Sequence, residues 1–107
     1  MIIPEIDLVA LEALLGADLV LIDVREDDEY TSGHVEGAQH VALTDVPDRL
    51  SEIPKDQTVY VICALGGRSA RAVEFLRNNG VDAINIAGGT NSWIESGRAV
   101  IHGRIKA

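Results

Sequence analysis

Cysteine is nearly missing from this chain: Cys63 is the only one in 107 residues. A single thiol closes no internal disulfide and supplies no thiolate metal cluster, so neither a disulfide framework nor a structural zinc site is expected, in keeping with a reducing compartment. Basic residues are scarce too, 9 Lys and Arg against 17 Asp and Glu, for a formal net charge of -8. Without a basic patch to displace counterions, neither nucleic acid nor an anionic membrane surface is expected as a partner. Long apolar runs are also lacking. The best, at 18–24 and 58–65, fall well short of the roughly 20 residues that a spanning helix requires. The start Met1-Ile2-Ile3-Pro4-Glu5 has neither the basic residues nor the apolar stretch of a signal peptide, so a cytoplasmic location is expected. Neither G-x-G-x-x-G nor G-x-x-x-x-G-K occurs, and His34, His40 and His102 show no ligand spacing. No nucleotide, metal or other cofactor is therefore called for.

What is present is enough for one hydrophobic core: 47% of the residues are apolar, and the length suits a single domain over 1–107. Helix-like and strand-like segments alternate along it. Val9 to Leu15 reads as a helix stopped by Gly16, and Leu19 to Val24 as a continuous apolar strand of the kind buried in a parallel sheet. An acidic helix from Glu26 to Thr31 follows, its Glu26-Asp27-Asp28-Glu29 run read as a solvated helix start. Then come a strand at Ala38 to Ala42, helical turns from Thr44 to Glu52, and a strand at Val59 to Ile62. The strongest helix runs from Ser69 to Asn79, with Ser69 as its expected cap and Asn79-Gly80 as its stop. A strand at Ala83 to Ile86, a Gly88-Gly89 turn and a last helix through Trp93 to Ser96 complete the pattern. Such alternation predicts an α/β fold around a mostly parallel sheet.

Ligands of open α/β sheets bind beyond the carboxyl ends of the strands, and Cys63 stands at such an end. The chain there passes from strand through Ala64-Leu65-Gly66-Gly67-Arg68-Ser69 into the helix, a junction that gathers free amides and the positive end of a helix dipole around one point. Curling the amides of Ala64 to Ser69 around one sulfur needs positive φ values, which Gly66 and Gly67 would supply. A free thiol is only a few per cent ionised at neutral pH, whereas amides, a helix terminus and Arg68 all favour the thiolate. The dipole alone, at about 0.3 to 1 kcal/mol, moves a pKa by less than one unit, so hydrogen bonds to the sulfur must carry more of the effect. A buried structural cysteine beside an ordinary glycine turn is the competing interpretation.

Four segments tip the balance: Leu21-Ile22-Asp23-Val24-Arg25-Glu26 with Tyr30; Gly33-His34-Val35-Glu36-Gly37-Ala38; Cys63-Ala64-Leu65-Gly66-Gly67-Arg68-Ser69; and Gly88-Gly89-Thr90-Asn91-Ser92-Trp93. In this order and spacing the chain resembles a single-domain rhodanese, a sulfurtransferase family. The resemblance implies a central, mostly parallel sheet of about five strands with helices on both faces. It also implies that Cys63 takes the outer sulfur of a donor such as thiosulfate or a persulfide, holds it as a persulfide cradled by Ala64 to Ser69, and passes it to cyanide or a thiol. Arg68 would lend positive charge to the donor or persulfide. Asp23 and Arg25 would support that side of the sheet, more as a salt link than as chemical participants. A sulfur-carrier or thioredoxin-like protein fits as a partner.

Two other functions compete. Cysteine-dependent phosphatases and arsenate reductases also use a cysteine, an amide cradle and an arginine, but the related phosphatases place five residues between the two and here only four intervene between Cys63 and Arg68. The tighter ring suits one bound sulfur. A non-catalytic rhodanese-like binding module would have no need of Cys63, Gly66, Gly67 and Arg68 together. The positions after the cysteine, basic or polar in many members of the family, hold Ala64 and Leu65 here, which leaves thiosulfate as a donor in question and favours a persulfide.

Overall fold

β-branched and aliphatic runs too short for helices make the strands of this protein, and Gly-bounded amphipathic runs make its helices. The computed structural model describes residues 2–104. It contains strands β1 (Glu5–Ile6), β2 (Val20–Asp23), β3 (Gln39–His40), β4 (Val59–Ile62) and β5 (Ala83–Ile86). Helices α1 (Leu8–Leu14), α2 (Asp27–Ser32), α3 (Gly67–Asn78) and α4 (Gly89–Glu95) connect them, with two short 3-10 turns at Leu43–Asp45 and Leu50–Glu52. All strand pairs are parallel, in the order β1-β5-β4-β2-β3.

Side chains alternate across each strand, so the sheet has two buried faces. On one, Ile22, Val59, Val61 and Ala83 pack beneath Ala72, Val73 and Leu76 of α3. On the other, Leu21, Ile62 and Ile86 meet Leu11 of α1, Tyr30 of α2 and Trp93 of α4. Burying a side chain of this size contributes about 1.5 to 3 kcal/mol, so β2, β4 and β5, covered on both sides, anchor the molecule.

The strand order decides where a site can form. From β2 the chain moves outward to β3, whereas from β4 it moves the opposite way to β5. The loops after β2 and β4 therefore diverge and leave a crevice between them at the carboxyl ends, the usual ligand position in such sheets. Cys63 follows β4, and Arg25 with α2 follows β2.

Several local expectations need correction. β1 was not anticipated: it is a two-residue edge strand behind Pro4, held because Pro4 O accepts from Asn85 N at 2.8 Å and Ile6 O from Ala87 N at 2.9 Å. Helical turns at 44–52 are two separate 3-10 pieces with Pro47, which has no N–H, between them. α3 begins at Gly67, so Ser69 lies inside its first turn and is not its cap. Only Gly66 of the glycine pair has positive φ, at 113°; Gly67 is already helical.

Candidate active site around Cys63

Carbon geometry at the end of β4 directs the cysteine inward: Cys63 is 1% exposed and packs with the core face under α3. The left-handed turn at Gly66 then folds the loop back over the sulfur. Gly66 N donates to Cys63 Sγ at 3.1 Å, and the Ser69 hydroxyl donates to it at 3.2 Å. Burial pushes the Cys63 thiol up, but hydrogen bonding by the Ser69 side chain and by the amides of Ser69, Gly66 and Leu65 outweighs it, and the pKa is lowered. Ser69 thus serves the sulfur instead of the helix end. A sequence gives no direct sign of this, because a serine near a helix start has capping as its default role.

The loop's carbonyls are drawn away from the sulfur, which leaves its amides free to face it. Thr90 N donates to Cys63 O at 2.8 Å and Asn91 N to Ala64 O at 3.0 Å, so the first turn of α4 receives the back of the loop. Gly89 makes this approach possible: a Cβ there would collide with Ala64 O and stand 2.6 Å from Cys63 O. Asn85 of β5 was missed by the sequence reasoning. Its Nδ2 donates to Gly66 O and to Glu5 Oε2, both at 3.2 Å, and so pins the turn to the sheet. A lone amide within Ala83-Ile84-Asn85-Ile86 was the available signal.

Arg68 is not a bare charge. Its Nη1 and Nη2 donate to Glu29 Oε1 and Oε2 at 2.7 and 2.8 Å, across the crevice from α2. The hydrogen bonds from Arg68 hold Glu29 far below the usual carboxylate range, at about 2, against the opposing effect of burial, and Glu29 raises Arg68 in turn. Glu29 also accepts from the Glu26 amide at 3.0 Å in a capping box that starts α2. The acidic run, which does start α2, therefore also carries one residue fixed to the candidate site.

Asp23 and Arg25 form a separate buried pair, 0% and 4% exposed. Arg25 Nη2 donates to Asp23 Oδ2 at 2.8 Å and also to Gly33 O at 2.8 Å, tying the end of β2 to the end of α2. Next to them His34, wholly buried, stacks on Tyr30 with ring centroids 3.8 Å apart, its Nδ1 donating to Tyr30 O at 2.9 Å. Trp93 is buried in the other core face, its Nε1 donating to Ala99 O at 2.9 Å.

Above the sulfur is an open depression of about 260 Å³ lined by Cys63, Ala64, Leu65, Gly67, Arg68 and Arg71. Leu65 stands on its rim, 72% exposed. A larger hollow of about 690 Å³ is lined by residues 47–55 around the second 3-10 turn and Pro54, and it contains neither Cys63 nor any residue of its loop. Chemically, the Cys63 site can hold a compact anion on sulfur: donors converge on one atom, and the opening above it admits a small molecule or an extended thiol. Among the described residues no helix is long and apolar enough to cross a membrane.

The chain is similar to known proteins over most of its length. The Rhodanese-like domain family model matches residues 7–96, which include both sides of the crevice. A sulfurtransferase from Allochromatium vinosum is 33% identical over 100 residues, covering 91% of this chain and 94% of that protein. Thiosulfate sulfurtransferase GlpE from Pseudomonas fluorescens is 32% identical over 83 residues, covering 77% of this chain and 76% of that protein. Among solved structures, a rhodanese-related protein from Thermoplasma volcanium superposes with a TM-score of 0.86 at 33% identity, covering 92% of this chain and 97% of the other. With a five-stranded parallel sheet, a cysteine loop at its switch point and a match over most of its length, the chain belongs to the rhodanese-like domain family.

Proposed function

We propose that this protein is a rhodanese-type sulfurtransferase that carries sulfane sulfur as a persulfide on Cys63. The observation that supports this most directly is the pair of hydrogen bonds, 3.1 Å from Gly66 N and 3.2 Å from Ser69 Oγ, on a cysteine whose pKa is lowered despite its burial. The Cys63 thiolate attacks the outer sulfur of the donor. A new Sγ–S bond forms, the donor's S–S bond breaks, and its remaining sulfur group leaves with the electron pair, as sulfite from thiosulfate or as a thiolate from a persulfide. No oxidant is consumed.

The amides from Ala64 to Ser69 then face a persulfide anion, and such charge-assisted hydrogen bonds are about twice as strong as neutral ones. Attack by cyanide or a thiol on the outer sulfur returns the thiolate. Arg68, already matched by Glu29, serves mainly to fix the loop across the crevice, and Asp23 with Arg25 keeps the β2 side in place. Protein partners of this reaction would be those that bring or remove sulfur, a sulfur-carrier or thioredoxin-like protein among them. The domain as proposed is the single unit 1–107, acting in the cytoplasm.

Intact mass spectrometry tests the mechanism. Incubation with thiosulfate or a persulfide should add the mass of one sulfur atom, removable by cyanide or a thiol, and Cys63→Ser should show no addition. An unchanged mass with every donor, or loading that persists in Cys63→Ser, refutes the Cys63 carrier. Hydrolysis of aryl phosphates by the native protein, lost in Cys63→Ser, would assign the same cysteine to phosphoryl transfer.

A further inference from the structure

Among the described residues that line the depression above Cys63, two are charged, both guanidiniums, and they are not equivalent. Arg68 gives two hydrogen bonds to Glu29, whose carboxyl titrates at about 2, so at neutral pH the two form a pair with no net charge. Arg71 lies one helical turn further along α3, is exposed, and has no carboxylate of the described residues within ion-pair distance. Ala64 and Leu65, the residues directly after the nucleophile, can offer no charge at all. In a protein of net charge -8, the uncompensated cation beside the thiol is Arg71.

We propose that Arg71 is the specificity-determining residue for the sulfur donor, anchoring a carboxylate or sulfonate-type oxygen group on the donor while its outer sulfur reaches Cys63. This rests on the sulfur-transfer function proposed above. Leu65, on the opposite character of rim, meets the donor's carbon or sulfur body. The arrangement favours donors whose anionic head lies a few bonds from the transferable sulfur, and an exposed Arg can select them without any charge in the loop itself.

Two primary alkyl persulfides differ mainly in the head group: that of 3-mercaptopropionate, which has a carboxylate, and that of 2-mercaptoethanol, which has a hydroxyl. Comparison of variants with the native protein cancels their intrinsic difference in reactivity. The readout is the second-order rate of Cys63 loading by each, taken as a ratio. The native protein should prefer the carboxylate donor, Arg71→Gln should reduce the ratio by roughly three- to fivefold as expected for one exposed charge pair, and Arg71→Lys should keep most of it. Lys55→Gln removes an exposed cation that does not line this depression and should leave the ratio near the native value. A ratio unmoved by Arg71→Gln, or lowered equally by Lys55→Gln, overturns the assignment. Failure of both donors to load native Cys63 would instead strike the sulfur-transfer function. Arg71 is then still tested by calorimetry of thiosulfate with Cys63→Ser, which cannot turn over: weaker binding by roughly three- to fivefold on adding Arg71→Gln supports it, and equal or undetectable binding refutes it.

Discussion

A single hydroxyl shows how far one side chain can decide the chemistry of this fold. Ser69 is fully buried and donates to Cys63 Sγ at 3.2 Å, and it heads the hydrogen bonds that draw the thiol pKa down against burial. The thiolate gains from the bond and the neutral thiol gains much less, so removing the hydroxyl must shift the balance toward the thiol. Ser69→Ala is therefore expected to raise the Cys63 pKa and to slow alkylation by iodoacetamide severalfold at neutral pH. Because a hydrogen bond to a charged group is worth about 1.5 to 3 kcal/mol, the change should be easily measured in a rate-against-pH profile. An unaltered profile would mean that the amides alone set the ionisation. Arg71→Gln provides a contrast at the same scale, since its expected effect is on donor choice and not on the thiol itself.

At the scale of elements, the site is a meeting of a loop with the start of a helix, and glycine decides whether they can meet. Gly89 has φ +64°, in the left-handed region, and its missing Cβ is the space occupied by the carbonyls of Cys63 and Ala64. Gly89→Ala is expected to destabilise the protein by about 2 to 4 kcal/mol, from strain at that φ together with a clash against backbone that cannot rotate away. Chemical denaturation measures the loss, and sulfur loading should fall with it because the amides of Thr90 and Asn91 no longer seat the loop. Stability within about 0.5 kcal/mol of native would contradict the close approach. These elements differ in how legible they are in the sequence. β2, β4 and β5 and the long α3 stand out because burial on both faces or along a stripe leaves a continuous or periodic apolar pattern. β1 has two residues and gains its strand character only from pairing with β5, and the 39–40 strand is likewise shorter than its apolar surroundings suggest. Cys63 and its glycine loop were visible as a strand-to-helix junction. Asn85, the role of Ser69 and the engagement of Arg68 by Glu29 were not, since each depends on residues brought together from separate elements: 19 positions apart for Asn85 and Gly66, 39 for Arg68 and Glu29.

For the molecule as a whole, the Arg68–Glu29 pair matters because it joins structures that the sheet keeps apart. α3 covers one face and α2 the other, and the order β1-β5-β4-β2-β3 sends their loops in opposite directions from the crevice. The pair closes that divergence at the carboxyl edge, so its ionisation is coupled to folding. Glu29 has a folded-state pKa of about 2, against 4.5 for an ordinary glutamate. As pH falls below 4.5 the unfolded chain takes up the proton first, so the contribution of the pair is complete above 4.5 and is lost progressively as the pH approaches 2. Both partners are about one-third exposed, and solvent screening limits the contribution to about 1 kcal/mol. Glu29→Gln should therefore be less stable than the native protein by about that amount at neutral pH. The other carboxylates titrate in both proteins and cancel in the comparison, so the stability difference should shrink through the window between 4.5 and 2 and vanish at its lower end. Urea denaturation of the two proteins at matched pH values measures it. A difference that stays constant across that window would show that ionisation of Glu29 has no energetic link to the fold at the cysteine loop.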